Sequence, residues 1–393
     1  MRPLLKPRVV LAEGDGGYLA YDLDADKLHR LNALASVVVE LADGSRTRDD
    51  ILLATAPLAG AEGAEACAAW IDEAVRQGLI VDSRLPHAPA PTARELCRAA
   101  DALRDRDRVL AAFLCQQRAV QLEADDPQQW YRLGELAHIV GRRDDARGAY
   151  ERYHEARPDD AEVTHLLVAL RDEALPARAS DACIEQLYGY FAEFYDRNMC
   201  DELEYRAPEL LAAGIAAAVG ERRDLSALDA GCGTGLFGLA IKPLTARLVG
   251  IDLSAAMLER ARERGIYDRV EQAELTRWFA REPTETFDVI AICDTLIYFG
   301  DLGQVLPAAA GHLRPGGVLA FTVEKGEADP FALTDSGRFT HHRHHVRTVA
   351  AAANLEIASQ TEEVLRWEYG EPVAGWVTVL RRNFPSAEPF AVS

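Results

Sequence analysis

Short alternating stretches open the chain, and helical stripes follow them. Val9-Val10-Leu11 predicts a strand, and residues 18–23 alternate with period two. Residues 27–31 give a third strand, with His29 and Leu31 on one side and Leu28 and Arg30 on the other. Asp15-Gly16-Gly17 and Asp24-Ala25-Asp26 supply the turns. Apolar positions then recur at helical spacing over residues 33–41, until Asp43-Gly44. Thr47 predicts a helix cap, with Asp49 and Asp50 in the first turn. A third helix is expected from about Glu62 to Gln77, stopping at Gly78, and Leu79-Ile80-Val81 closes a unit of residues 1–85.

Pro86-His87-Ala88-Pro89-Ala90-Pro91 reads as an extended linker over residues 86–92. Helix pairs fill residues 93–180. Trp130, Leu133, Gly134, Ala137, Ala146, Tyr150, Tyr153 and Pro158 stand at the spacing of a tetratricopeptide repeat of about 34 residues. One period earlier, Leu96, Leu103, Ala112 and Ala119 hold the equivalent places, and residues 161–175 predict one capping helix. Such a stack offers either a peptide groove or a spacer.

Residues 181–393 change rhythm. Helices are expected over 181–199 and 208–219. Strands at 227–230, 248–252, 269–272, 287–293 and 318–324 then alternate with helices at 236–242, 254–264, 302–313 and 344–353. Two more strands, 356–359 and 376–381, end the pattern. Alternation of this kind predicts a parallel, doubly wound sheet with its ligand at the strand carboxyl ends.

Composition narrows the partners. The 393 residues are 49% apolar and carry a net charge of -20. That sign argues against nucleic acid and anionic membrane, which need a basic surface. The N-terminal unit resembles a winged helix, but it holds nine Lys/Arg against fourteen Asp/Glu, and its third helix carries Glu62, Glu65, Asp72 and Glu73, the wrong sign for a DNA-recognition helix. The seven cysteines are scattered without a CxxC pair, which suits a reducing cytoplasm and no zinc site. Residues 1–17 lack an apolar signal core, and the longest apolar run, 210–219, is too short to span a bilayer.

The candidate chemistry lies in Leu228-Asp229-Ala230-Gly231-Cys232-Gly233-Thr234-Gly235, a buried strand running into a glycine turn and a helix start. Glycines let a ligand approach the backbone and supply positive φ, and the helix N-terminus beyond offers free N–H groups. Gly233 to Gly238 fits G-x-G-x-x-G, with Asp252 some way on, so a nicotinamide dinucleotide is a rival ligand. Asp229 before the first glycine, the Leu313-Arg314-Pro315-Gly316-Gly317 turn before a strand, and no room for a separate substrate domain favour another cofactor.

Together these motifs resemble the class I S-adenosylmethionine-dependent methyltransferases over about residues 181–382. Asp229 to Gly235, Gly250-Ile251-Asp252-Leu253-Ser254, Phe287-Asp288-Val289-Ile290 through Asp294, and Leu313 to Gly317 carry the likeness. Predicted methyltransferases with tetratricopeptide repeats share segments similar to Phe191 to Asp196, Tyr205-Arg206 and Gly337 to His341. The resemblance implies S-adenosylmethionine as cofactor and S-adenosylhomocysteine as product. It implies a cofactor site of Tyr195, Arg206, Asp229, Gly231, Cys232, Gly233, Gly235, Asp252, Leu253, Met257, Glu274 and Asp294. Asp252 would take the ribose hydroxyls, Leu253 and Met257 would flank the adenine, Glu274 would face its amino group, and Tyr195 and Arg206 would close the site. His341, Tyr298 and Glu324 are the candidate catalytic bases if the acceptor must lose a proton. The cluster His341-His342-x-His344-His345 lacks a completing metal-ligand set, so no metal is expected.

In the first unit, Leu31-Asn32, Ala35, Val39-Glu40-Leu41, Asp43-Gly44, Arg46-Thr47, Asp50-Ile51 and Gly78-Leu79-Ile80 resemble the PqqD-like domain, or RiPP recognition element. The resemblance implies capture of the leader of a ribosomally made precursor peptide along Lys27, Leu28, His29, Arg30 and Leu31, against Cys67, Trp70, Ile71 and Ala74. The same helix spacing is also that of a plain core stripe. The expected fold is therefore multidomain α/β: a winged-helix-like PqqD-like domain, a short all-α repeat segment, and a C-terminal Rossmann-like, seven-stranded methyltransferase domain. Its expected activity is methylation of the precursor peptide in the cytoplasm. A small-molecule methyltransferase with a structural N-terminal domain, and a non-catalytic scaffold, are the alternatives.

Overall fold

The computed structural model describes residues 1–171 and 174–384, with only the backbone at 59–62. The chain divides into two compact units, Met1–Arg157 and Pro158–Ser393.

The first unit begins with strands β1 (Pro3–Leu5), β2 (Val9–Gly14), β3 (Gly17–Asp22) and β4 (Lys27–Arg30), then helices α1 (Ala33–Leu41) and α2 (Arg48–Arg76) and strand β5 (Ile80–Asp82). β2, β3 and β4 form an antiparallel sheet in that order, with β4 at one edge. β1 pairs with β5, which no alternation in Pro3-Leu4-Leu5 signals. Asn32 caps α1 through the N–H of Ala35, and Thr47 with Asp50 forms a reciprocal capping box on α2.

α2 is helical from end to end, yet Arg48 pairs with Asp72 at 2.9 Å, and Thr55 Oγ1 lies 3.4 Å from Cys67 Sγ. In a straight helix those first two residues would stand about 36 Å apart. The element therefore doubles back between Thr55 and Cys67, and its two arms are the second and third helices expected from the sequence. Glu62 has its side chain outside the described residues.

Leu31, Ile51, Cys67, Ile71 and Ala74 meet Val38 and Ile80 in the core of this unit. Helices α3 (Ala93–Arg104), α4 (Val109–Leu122), α5 (Pro127–Ile139) and α6 (Arg143–Ala156) follow, each packed on the next. A Cβ at Gly134 would come within 2.5 Å of the Tyr150 ring, so glycine sets the α5–α6 approach.

The second unit opens with α7 (Ala161–Leu170), α8 (Asp181–Phe191), the short α9 (Tyr195–Arg197), a π turn at Asn198–Glu202, and α10 (Ala207–Val219). Residues 172–173 of the helix expected at 161–175 lie outside the described residues. The alternating part runs β6 (Leu225–Ala230), α11 (Leu236–Ile241), β7 (Thr245–Asp252), α12 (Ala255–Glu263), β8 (Arg269–Gln272), α13 (Leu275–Phe279), β9 (Phe287–Ile292), α14 (Val305–Gly311) and β10 (Leu313–Lys325). β11 (Phe331–Leu333), β12 (Phe339–His341), α15 (Arg343–Ala352), β13 (Leu355–Glu368) and β14 (Glu371–Arg382) complete it.

The main sheet order is β8-β7-β6-β9-β10-β14-β13, with β8 through β10 parallel and β14 antiparallel to both neighbours. These are the seven expected strands. Where β9 ends, β12 pairs parallel with Glu324 and Lys325 of β10, and β11 adds to β12, making a nine-stranded sheet. Alternate side chains go to opposite faces. Leu228, Ile290 and Phe321 pack with Trp278, Leu306 and Val346 of α13, α14 and α15. Ala227, Val289 and Val318 pack with Leu211, Ile215 and Phe237 of α10 and α11. Strand order reverses between β6 and β9, which opens a crevice at their carboxyl ends. Among the described residues no helix is long and apolar enough to cross a membrane.

Candidate active site

The glycine turn after β6 holds the crevice open. Gly231 has φ +82°, and a Cβ there would lie 2.1 Å from Thr295 Oγ1. The N–H groups of Gly231 and Cys232 donate to the Ile251 carbonyl at 2.8 and 2.9 Å, which pins the turn to β7. At the end of β7, Asp252 accepts from the Gly233 N–H through Oδ2 and from the Ser254 N–H through Oδ1, both at 2.8 Å. A carboxylate has about four acceptor sites, so two remain for a ligand.

A cavity lies over this turn. Tyr195, Gly231, Gly233, Asp252, Leu253, Met257, Glu274, Asp294 and Tyr298 line it, so the fold brings together nine of the residues singled out from sequence. Arg178 and Ala179 also reach it. The Ala179 N–H donates to the Tyr298 carbonyl at 2.9 Å, and the Gly300 N–H to Ala177 at 2.9 Å, which lays Arg178 along the cavity wall. Ile184 and Tyr188 of α8, with Thr295 and Phe299, complete the wall. No spacing in the sequence marks these residues, because their segment joins the sheet only in three dimensions.

Other expected residues lie elsewhere. His341 is fully buried, its Nε2 is 2.9 Å from the Gly300 carbonyl, and burial lowers its pKa to about 4. It is a core histidine and does not line the cavity. Glu324 is buried outside the lining, where Arg338 Nε donates to it at 2.7 Å and Arg366 Nη2 also binds it. Tyr298 does face the cavity, but burial pushes its phenol up to about 12, and its hydroxyl is 2.7 Å from that of Tyr188. It faces the cavity as a protonated hydroxyl at neutral pH. Arg206 has an exposed side chain, and its backbone N–H bonds Leu365. Cys232 packs against Leu258 and Ala261 instead of the cavity.

Asp229 is buried in β6, takes the Tyr267 hydroxyl at 2.6 Å, and is raised to about 7 by burial. It does not line the cavity. Gly235 and Gly238 make room for Tyr267 and not for a ligand: a Cβ at Gly238 would be 2.2 Å from the Tyr267 hydroxyl. The last glycine of the G-x-G-x-x-G match is therefore a packing glycine. Glu274 faces the cavity but is the cap of α13, accepting the Thr276 and Arg277 N–H groups at 2.9 Å.

His341 and His345 stack, their ring centroids 6.0 Å apart. His342 caps α15, and His345 Nε2 accepts the Leu302 N–H at 3.4 Å. Among the described residues no group of three or more His, Cys, Asp or Glu is placed to hold a metal. In the first unit, Leu31, Cys67, Ile71 and Ala74 are core and offer no side chain to a peptide; Trp70 is half-buried.

Two contacts were not expected from the sequence, although Asp196 belongs to the segment Phe191 to Asp196. Asp196 of α9 binds Thr234 Oγ1 at 2.5 Å and pairs with Arg264, tying the segment above the cavity to the glycine turn. Arg366, 3% exposed, reaches from β13 to Asp294 Oδ2 at 2.9 Å. A register shift between Val364 and Arg366 lets both Leu365 and Arg366 point inward.

A parallel sheet with a glycine turn after its first strand and an acid closing its second defines a Rossmann-like nucleoside-cofactor fold. Residues 228–319 match the methyltransferase domain family. The chain is 32% identical over 209 residues to human methyltransferase-like protein 27, covering 51% of this chain and 78% of that one. It is 37% identical over 105 residues to trans-aconitate 2-methyltransferase of Paracidovorax citrulli, covering 26% of this chain and only 40% of that relative. A solved S-adenosylmethionine-dependent methyltransferase from Clostridium acetobutylicum aligns with 50% of this chain and 99% of its own at 17% identity, TM-score 0.39. The chain belongs to the S-adenosylmethionine-dependent methyltransferases.

Proposed function

We propose that this protein transfers a methyl group from S-adenosylmethionine to a ribosomally made precursor peptide whose leader is held by its first unit. The observation that carries the methyltransferase part is the cavity in which the Gly231 and Gly233 backbone, Asp252, Leu253 and Met257 converge. When bound, the cofactor supplies an electrophilic methyl on a sulfonium. Asp252 accepts the two ribose hydroxyls with its remaining lone pairs. Leu253 and Met257 flank the adenine, while the glycine backbone lies along the methionine part. Tyr188, Tyr195 and Tyr298 exclude water and align the acceptor for in-line displacement, which is where most of the rate comes from.

The peptide part is supported by strand β4, bonded on its β3 side, and by the PqqD-like spacing of the first unit. The helix pairs α3–α4 and α5–α6 are read as tetratricopeptide-type repeats. A small-molecule acceptor is the second reading. Burial of Cys67, Ile71 and Ala74 favours it, as does the relative named for trans-aconitate.

The test is the mass of a precursor peptide encoded beside the gene, before and after incubation with the full-length protein and S-adenosylmethionine. A gain of one methyl group that disappears when the leader is deleted supports the proposal. Binding of S-adenosylhomocysteine with no peptide modified, and no leader bound by calorimetry, leaves the small-molecule reading in its place.

A further inference from the structure

Most polar groups on the cavity wall have a partner in the protein, and one fully buried oxygen among them has none. The Asp252 oxygens accept the Gly233 and Ser254 N–H groups. Glu274 caps α13. Arg178 pairs with Asp181 at 2.7 Å and donates to the Ala179 carbonyl at 2.9 Å. Tyr188 and Tyr298 bond each other. At Asp294, Oδ2 is held by Arg366, while Oδ1 is buried without a partner. The side chain is 8% exposed and lines the cavity. Its backbone has φ +52°, a conformation unusual for a residue other than glycine. The N–H of the same residue donates to Thr322 Oγ1 at 2.8 Å, which holds the carboxylate in that pose.

Charge behind the wall points the same way. Arg366 also contacts Glu324 and lies 2.7 Å from Glu368 Oε1. Arg338 bridges Glu324 at 2.7 Å and Glu368 at 2.5 Å. This buried cluster sets the carboxylates of Asp294, Glu324 and Glu368 against the guanidiniums of Arg366 and Arg338, one negative charge in excess. A buried excess charge is costly unless it is paired.

We infer that the acceptor is an amine, and that Asp294 Oδ1 receives its ammonium group. This rests on the methyltransferase reading of the same cavity and names its substrate class. An ammonium completes both the orphaned oxygen and the charge of the cluster, and the Tyr188, Tyr195 and Tyr298 rings suit a cation. A carboxylate acceptor would add negative charge beside three cavity acids, where Arg178, the only guanidinium in the lining among the described residues, is already committed.

In the reaction, Asp294 takes one proton from the ammonium and frees the nitrogen lone pair. The nitrogen–methyl bond forms as the carbon–sulfur bond breaks, and that electron pair stays on sulfur. The positive charge passes from sulfur to the methylated nitrogen, and Asp294 returns its proton to solvent. Burial raises the Asp294 pKa, which suits a proton acceptor.

The test uses the full-length protein saturated with S-adenosylhomocysteine, titrated by calorimetry with three probes of one shape: n-butylammonium, n-butanol and butyrate. The expected result is n-butylammonium binding at least about tenfold tighter than either of the others, as a charge-assisted hydrogen bond requires. In Asp294→Asn that preference disappears while S-adenosylhomocysteine affinity stays within about twofold. Equal or tighter binding of butyrate or butanol overturns the inference, as does no binding of any probe; neither outcome needs the variant to fold. A preference that survives in Asp294→Asn also overturns it. A loss of about tenfold or more in cofactor-product affinity in that variant assigns Oδ1 to the cofactor's own amino group instead. Failure of the wild type to bind S-adenosylhomocysteine at all removes the methyltransferase reading itself and is told apart by that first titration.

Discussion

Arg366 Nη1 donates to Asp294 Oδ2 at 2.9 Å across 72 residues of chain, and both side chains are more than nine-tenths buried. The arginine also serves Glu324 and Glu368, so one guanidinium organises three carboxylates. Removing Arg366 strands the buried Asp294 without a charge partner and leaves Glu324 and Glu368 to share Arg338.

Arg366→Met is therefore expected to destabilise the second unit by about 3–5 kcal/mol. Chemical denaturation of variant and wild type checks this. A loss below about 1 kcal/mol would mean that water reaches the acids and replaces the arginine.

Asp252→Ala should weaken S-adenosylhomocysteine binding at least about tenfold, close to 1.4 kcal/mol, because it removes charged acceptors from the ribose. The same carboxylate holds the Gly233 and Ser254 N–H groups, so the glycine turn loosens as well. Calorimetry on a variant with native circular dichroism is the check, and unchanged affinity removes the ribose role.

The turn glycines separate packing from conformation. Gly231→Ala brings a methyl against Thr295 at positive φ, and is expected to cost about 2 kcal/mol or more of stability. Gly233, with φ +53° and nothing within 4 Å of its Cβ, should lose only about 1 kcal/mol as alanine. Thermal melts of the two variants rank them; equal melting temperatures would contradict the Thr295 contact.

Stability should respond to pH through His341. Its pKa falls from 6.5 unfolded to about 4 folded, since burial disfavours the imidazolium. The unfolded chain binds the extra proton between those values, so the contribution is complete above the unfolded pKa and fades as pH drops through the folded one. At full effect it amounts to about 3 kcal/mol. The stability gap between wild type and His341→Gln should narrow as pH falls from neutral toward 4, read by urea unfolding at each pH. A gap independent of pH would refute the buried neutral state.

Much of the second unit was legible in its pattern. The seven strands of the main sheet stand where apolar runs and turns put them, since a strand buried on both faces is mostly apolar, as in Phe287–Ile292, where the one acid, Asp288, pairs with Arg222 and Arg314. The acid that ends β7 and the glycines before Thr234 were legible for a related reason: the turn takes positive φ at Gly231, where a Cβ would also strike Thr295, so only glycine fits. The helical reversal between Thr55 and Cys67 was legible too, although the backbone remains helical through it.

Side-chain direction was not legible. By itself the sequence determined the alternation of elements, the family and the residues of the cofactor turn, because these depend on local period and on local backbone demands. Only the tertiary structure decided which candidates share a cavity. It sent His341 and Glu324 into the interior, gave Gly238 to Tyr267, and brought Arg178 and Arg366 to a site far from them in sequence. Those outcomes follow from register, a bulge in β13 and the pairing of residues 177–179 with 298–300, all long-range relations that no local spacing encodes.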